Sequence, residues 1–230
     1  MKSNSDVVAL IPAFNEEKNI AEVVARTKRI MKTVVVVDDG SCDRTAELAE
    51  KNGADVIRHA VNLGKGAALK TGVDYIVKNT PAAKTMVIID ADLQFKPEDA
   101  PKVLEPILSG SADVVMGFRD FSKVPFRHRL GNFVWKTAFN LLFGTRLKDT
   151  NCGYIAMTMS SAKAIGDFHG GYIIENHLLA QCIRKGLRIG QVPVEVDYGK
   201  ISSVPRGIRV VTGVLYFTVK EGLKYRLRFK

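Results

Sequence analysis

Hydrophobicity along the chain alternates between short apolar runs and longer stretches in which apolar residues recur every third or fourth position. Val7 to Ile11, Thr33 to Val37, Asp55 to Ile57, Thr85 to Ile89 and Asp113 to Met116 are rich in Val and Ile and too short for helices, so they read as strands. Glu17 to Met31, Arg44 to Asn52, Gly66 to Lys78 and Pro97 to Leu108 read as the helices between them. Turn and cap residues agree: Asp43 suits the start of the second helix, Gly53 its end, and Pro97-Glu98-Asp99 the start of the fourth. Strict alternation of this kind predicts an α/β domain with a mostly parallel central sheet and helices on both faces. Such sheets bind ligands at the carboxyl ends of their strands.

Beyond Gly117 the rhythm changes. A basic loop precedes a helix from about Arg129 to Phe143, with Phe133, Val134, Ala138, Leu141 and Leu142 expected to face inward. A strand at Gly153 to Thr158, a helix at Ile174 to Lys185 and a strand at Arg188 to Val196 follow. The apolar run Val210 to Val219, trailed by Lys220, Lys224, Arg226, Arg228 and Lys230, suits an amphipathic segment lying in a membrane interface. The division expected is one α/β domain over residues 1–205 and an amphipathic basic segment over 206–230.

Composition narrows the partners. With 230 residues and 46% apolar content the chain can bury one sizeable core. A net charge of +10 calls for an anionic partner, and much of the excess lies after residue 118. Neither a reading helix nor an aromatic stacking platform is evident, so no nucleic acid partner is expected. No apolar run approaches the roughly eighteen residues needed to span a bilayer, and no secretory signal pattern begins the chain. The three cysteines, Cys42, Cys152 and Cys182, are too scattered for a thiolate site and are expected as free thiols. A cytoplasmic protein, peripheral on the cytoplasmic face of a membrane, is the expected setting.

The most informative stretch is Val87-Ile88-Ile89-Asp90-Ala91-Asp92-Leu93-Gln94, a strand running into two carboxylates and an amide. Oxygen ligands at a strand end suit a hard divalent cation, and a cation holding a diphosphate is the natural hypothesis. Three further loops should emerge on the same edge: Pro12 to Glu16, Asp38 to Asp43, and Asn62 to Gly66. In the last, Gly64 and Gly66 permit close backbone approach, and Lys65 adds charge at a helix start, as an anion site requires.

Taken together, Pro12 to Glu16, Asp38 to Ser41, Asn62 to Ala68, Asp90 to Gln94, Gly117-Phe118-Arg119 and Asp149 to Tyr154 resemble the family 2 glycosyltransferases of GT-A fold. The dolichyl- or polyprenyl-phosphate mannosyltransferase group is the nearest likeness. The resemblance implies Mg2+ or Mn2+ on Asp90, Asp92 and Gln94, and a nucleotide base contacted by Asp38 and Asp39. It places Pro12, Asn15 and Glu16 along base and ribose, with Gly64 and Lys65 at the diphosphate. Asp92, Arg119 and Arg129 are the implied catalytic set, the two arginines holding an acceptor phosphate; Arg127 is the neighbouring alternative to Arg129. Where the family carries a further arginine ahead of a Gly-x-Ser-Lys segment this chain departs from the pattern at Tyr198 to Ser203, and Lys200 or Arg206 is expected to replace that phosphate contact. Because a phosphate acceptor is already an anion, no general base is needed. The expected reaction is inverting transfer of a hexose to dolichyl or polyprenyl phosphate, with GDP-mannose favoured as donor and UDP-glucose second. The alternatives are a hydroxyl acceptor, with Glu175 as the candidate base, and a nucleotide-binding membrane protein without catalysis. Glu175 reads more simply as an acidic residue favouring a helix start.

Overall fold

The computed structural model describes residues 6–120, 126–168, 174–197 and 207–228. The strands are β1 (Val7–Ala13), β2 (Thr33–Asp38), β3 (Asp55–Arg58), β4 (Thr85–Ile88), β5 (Val114–Arg119), β6 (Ile155–Thr158) and β7 (Ile189–Val194). The helices are α1 (Ile20–Lys28), α2 (Thr45–Lys51), α3 (Lys65–Asn79), α4 (Ala100–Leu108), α5 (Phe126–Phe143), α6 (Met159–Ile165), α7 (Ile174–Arg184) and α8 (Gly207–Arg228). The strands form one sheet in the order β3-β2-β1-β4-β6-β5-β7. Val8 to Ile11 and Val35 to Val37 are wholly buried, as expected for central strands covered by helices on both faces.

Within the sheet, β1 pairs in parallel with β2 and β4, β2 with β3, and β5 with β7. Only β6 runs against its neighbours, antiparallel to both β4 and β5. Six strands therefore deliver their carboxyl ends to one edge, whereas β6 delivers its amino end there. That reversal brings residues 149–154 beside the loops that leave β4 and β5.

Helix boundaries differ from the sequence reading where capping intervenes. The chain after β1 forms a turn, with the Asn19 and Ile20 amides on the Glu16 carbonyl, so α1 begins at Ile20 rather than Glu17. Helix α2 ends as expected at Gly53, whose φ of +84° a residue with a side chain adopts only under strain. The orientation of α5 is a correction: Phe133, Val134 and Leu141 are exposed, and Phe139 and Phe143 fill the core instead. Both stripes recur at helical spacing, and the one carrying two stacked phenyl rings, 4.5 Å between centroids, takes the interior.

Helix α8 lies against α5 and α7. Tyr225 packs on Phe143, Arg184 pairs with Glu221, and Arg226 donates to the Leu141 and Leu142 carbonyls. Its other side exposes Tyr216, Val219, Leu223 and Leu227. No described helix is long and apolar enough to cross a membrane.

Candidate active site

At the common edge the loops after β1, β2 and β4 meet the start of α3 and of α7 around a cavity of about 540 Å³. Its lining includes Pro12, Phe14, Glu16, Asp39, Asn62, Gly64, Lys65, Asp90, Asp92 and Glu175.

Asp38 and Asp39 part company here. Asp39 lines the cavity, and its carboxylate accepts from the Leu63 amide at 2.9 Å and the Gly64 amide at 2.7 Å, with His59 Nδ1 2.7 Å away. The far side of that imidazole meets the Thr71 hydroxyl at 2.9 Å. A carboxylate has about four acceptor positions, so one remains for an incoming N–H. Asp38 is wholly buried and outside the lining. It accepts from the Ser41 amide, and its second oxygen lies 3.2 Å from Arg58 Nε, close enough for an ion pair but misaligned for a hydrogen bond. Asp38 thus shapes the loop that Asp39 presents.

The loops are fastened to one another. Asn15 receives the Cys42 amide on its side-chain oxygen and donates its own amide to Ser41, so it clasps the first two loops and does not line the cavity. Pro12 and Glu16 do. Gly64, at φ +92°, turns the chain into α3 with its amide committed to Asp39. Ala68 is the first residue of α3 to bond back into the helix, onto the Gly64 carbonyl. The amides of Lys65, Gly66 and Ala67 before it have no place in that ladder, and the positive end of the helix dipole lies with them.

Opposite, Asp90 and Asp92 face the same space. Lys65 Nζ is 2.7 Å from Asp90 Oδ1 and 3.2 Å from Glu175 Oε1. Burial opposes the Lys65 charge, yet first Asp90 and then Glu175 raise its pKa, so it remains an ammonium. Asp92 behaves in the opposite way: burial, then repulsion from Asp90, holds its carboxyl up near 6. The Gln94 amide donates to Asp92 Oδ1, but its side chain is not in the lining. Among the described residues no three His, Cys, Asp or Glu side chains are gathered as a metal cage. Two hard oxygen donors with excess negative charge, one of them already held by a cationic group, do fit a divalent ion that brings ligands with it.

Gly153 enters from the reversed strand. A Cβ there would sit 2.3 Å from Asp90 Oδ2 and 3.2 Å from Lys65 Nζ, so only glycine leaves room for this pair.

Arg119 lies beside the site at the end of β5. Its Nε and Nη2 donate to the two oxygens of buried Asp149 at 2.7 and 3.0 Å, a two-pronged pair that commits much of the guanidinium. Arg127 and Arg129 occupy the first turn of α5; their side chains, and Lys200 altogether, lie outside the described residues. Cys42, Cys152 and Cys182 are free thiols.

The sequence reading missed Phe14, an exposed aromatic at the cavity, although it stands inside the Pro12 to Glu16 motif. It gave Glu175 a helix-start role that the structure enlarges, since the residue reaches Lys65 across 110 positions of chain. No local signal in the sequence reports that contact.

Comparison with known proteins agrees with the geometry. The model for glycosyl transferase family 2 matches residues 8–166. A UDP-N-acetylglucosamine–dolichyl-phosphate N-acetylglucosaminyltransferase of Methanococcus voltae is 31% identical over 236 residues, 92% of this chain and 93% of that one. A dolichyl-phosphate hexose transferase of Haloferax volcanii is 31% identical, with 82% of each chain covered. Glucosyl-3-phosphoglycerate synthase from Mycobacterium tuberculosis, solved with phosphoglyceric acid, superposes with a TM-score of 0.77 at 21% identity, covering 94% of this chain and 79% of that one. The sheet has the expected GT-A arrangement, and the chain belongs to glycosyl transferase family 2 and is a glycosyltransferase.

Proposed function

We propose that the enzyme transfers a sugar from a nucleoside diphosphate sugar to a polyprenyl or dolichyl phosphate, with inversion at the anomeric carbon. The observation that carries this reading is a single cavity lined both by an acceptor carboxylate, Asp39, and by the Asp90, Asp92 and Lys65 group. Uracil and guanine both present an N–H to such a carboxylate. The relative named for UDP-N-acetylglucosamine, matched over nearly its whole length, favours uridine. The mannose donor expected from the sequence therefore becomes the second choice.

In this reading Asp39 accepts from the base, Phe14 lies against it, and the open amides at the start of α3 meet the diphosphate with Lys65. Asp90 and Asp92 are the residues that would hold a divalent cation, Gln94 orienting Asp92 through its amide. When bound, such an ion supplies Lewis-acid stabilisation of the departing diphosphate. Arg127 and Arg129, at the amino end of α5, would hold the acceptor phosphate at the positive end of the helix dipole. An acceptor oxygen attacks the anomeric carbon as the bond to the nucleoside diphosphate breaks, and that bond's electron pair leaves with the diphosphate. Arg119 acts by fixing Asp149 and the turn after it. Glu175, the base that a hydroxyl acceptor would require, is engaged in an ion pair with Lys65 at 3.2 Å, which supports an acceptor that needs no base.

The acceptor lipid implies a surface on which to meet it. On α8 the exposed Tyr216, Val219, Leu223 and Leu227 fall on one stripe, with Lys220 and Lys224 along its side. Phe133 and Leu141 are exposed on neighbouring α5. We assign this face to an anionic membrane, where each well-placed lysine adds about 1 kcal/mol. Flotation with phosphatidylglycerol vesicles tests it: Leu223→Glu with Leu227→Glu should abolish co-flotation, and undiminished binding would refute the assignment.

The reaction itself is tested by incubating the protein with Mn2+, a short polyprenyl phosphate and labelled UDP- and GDP-sugars. Label should appear in the organic phase with one donor. Label found only on a water-soluble hydroxyl acceptor would overturn the lipid-phosphate reading.

A further inference from the structure

We propose that Lys65 makes cation binding at Asp90 conditional on the donor: it serves as an internal counter-ion that a divalent ion displaces only when a diphosphate is present to receive the ammonium. This inference rests on the nucleotide-sugar reading above.

The charges around the cavity motivate it. Among the described lining residues Glu16, Asp39, Asp90, Asp92 and Glu175 are acidic, and Lys65 is the cation. Its ammonium bridges Asp90 and Glu175 at 2.7 and 3.2 Å. A divalent ion arriving alone at Asp90 would meet that ammonium at hydrogen-bond range, in a site where repulsion is weakly screened. A diphosphate arriving alone would meet the carboxylates. Neither entry is favourable by itself.

Together they permit an exchange of partners. Lys65 is the first residue of α3, so its stem leaves the same turn whose open amides suit the diphosphate. The side chain is 28% exposed and flexible along its length, so the ammonium can pass from Asp90 to a phosphate oxygen without moving the helix. Asp90 is then freed for the ion. Gly153 adjoins both partners of this pair: a Cβ there would stand 2.3 Å from Asp90 Oδ2 and 3.2 Å from Lys65 Nζ. The resulting coupling is reciprocal: the nucleotide tightens the ion by the same factor as the ion tightens the nucleotide.

The test reads metal affinity rather than turnover. Free Mn2+ is followed by electron paramagnetic resonance in titrations of wild type, Lys65→Met and Lys65→Arg, with and without UDP or GDP, after correction for Mn2+ held by the nucleotide in solution. In the wild type the nucleotide should tighten Mn2+ by about tenfold or more. Lys65→Met should bind Mn2+ alone more tightly than wild type and lose most of the coupling, and Lys65→Arg should retain it. A merely structural lysine would not raise metal affinity when removed. Unchanged affinity and coupling in Lys65→Met, with Mn2+ still bound, would overturn the role of Lys65 alone. Absence of Mn2+ binding by the wild type with either nucleotide would overturn the nucleotide-sugar reading and this inference with it.

Discussion

Gly153→Ala perturbs the site by one methyl group and nothing else. Gly153 is not among the positive-φ residues, so alanine suits its backbone and the effect is steric. The added carbon would meet Asp90 Oδ2 at 2.3 Å and Asp90 Cγ at 3.2 Å, whereas ordinary contact begins at 3.4 Å. The carboxylate must therefore retreat by about 1 Å, and misplacement on that scale lowers turnover by about a hundredfold. Leaving its rotamer costs the fold only about 1 kcal/mol, so the melting temperature should fall by a few degrees at most. The assay is steady-state transfer of labelled sugar to polyprenyl phosphate, paired with a thermal melt. Gly213→Ala is the control: it lies in α8 with open space around it, and should keep full activity while gaining about 0.5–1 kcal/mol of stability. A folded Gly153→Ala enzyme within threefold of wild type would refute the reasoning, because Asp90 would then not need its present position.

Three further outcomes are expected. Asp92 has its carboxyl raised from 3.8 to about 6, so the folded chain holds this proton more tightly than the unfolded one; the group stabilises the fold below about pH 4 and loses that contribution as pH rises through 6. Asp92→Asn should accordingly melt higher than wild type at pH 7.5, by up to about 3 kcal/mol, with the difference shrinking toward pH 4 and transfer abolished throughout. Equal melts at pH 7.5 would contradict it. Arg119→Ala strands the buried Asp149 carboxylate and should destabilise by about 3–5 kcal/mol, whereas Arg119→Met with Asp149→Leu should recover most of the loss in a denaturant titration. His59→Ala removes a partner of Asp39 and should raise the Kd for UDP or GDP by about tenfold with kcat little changed; calorimetry and kinetics together check this, and a fall in kcat alone would contradict it.

The local order of the fold was legible because the central strands are short runs rich in Val, Ile and other apolar residues, and because Gly53 and Pro97 mark helix boundaries. The loops at the cavity were legible for a related reason: each follows a parallel strand, so sequence position alone assigned them to one edge. Less legible was any relation between distant segments. The exposed face of α5 shows the limit well, since Phe133-Val134-Leu141 and Phe139-Phe143 are both apolar at helical spacing, and only the partners available decide which is buried. Asp38 and Asp39 are adjacent and chemically identical, yet successive side chains at a strand end point to opposite sides, and the pleat made one a buried support and the other a lining residue.

The sequence by itself determined the alternating strands and helices, the carboxylate pair after β4, the glycine-lysine turn into α3 and the basic, apolar character of the C-terminal segment. All of these depend on neighbours within a few residues, where covalent spacing fixes what is close. Tertiary structure decided the reversal of β6, the bridge from Lys65 to Asp90 and Glu175, the lock of Arg119 on Asp149 and the clearance at Gly153. Each joins segments that approach only when the sheet closes, and whether two such charges meet at 2.7 Å or 10 Å is set by packing that no single stretch of chain encodes.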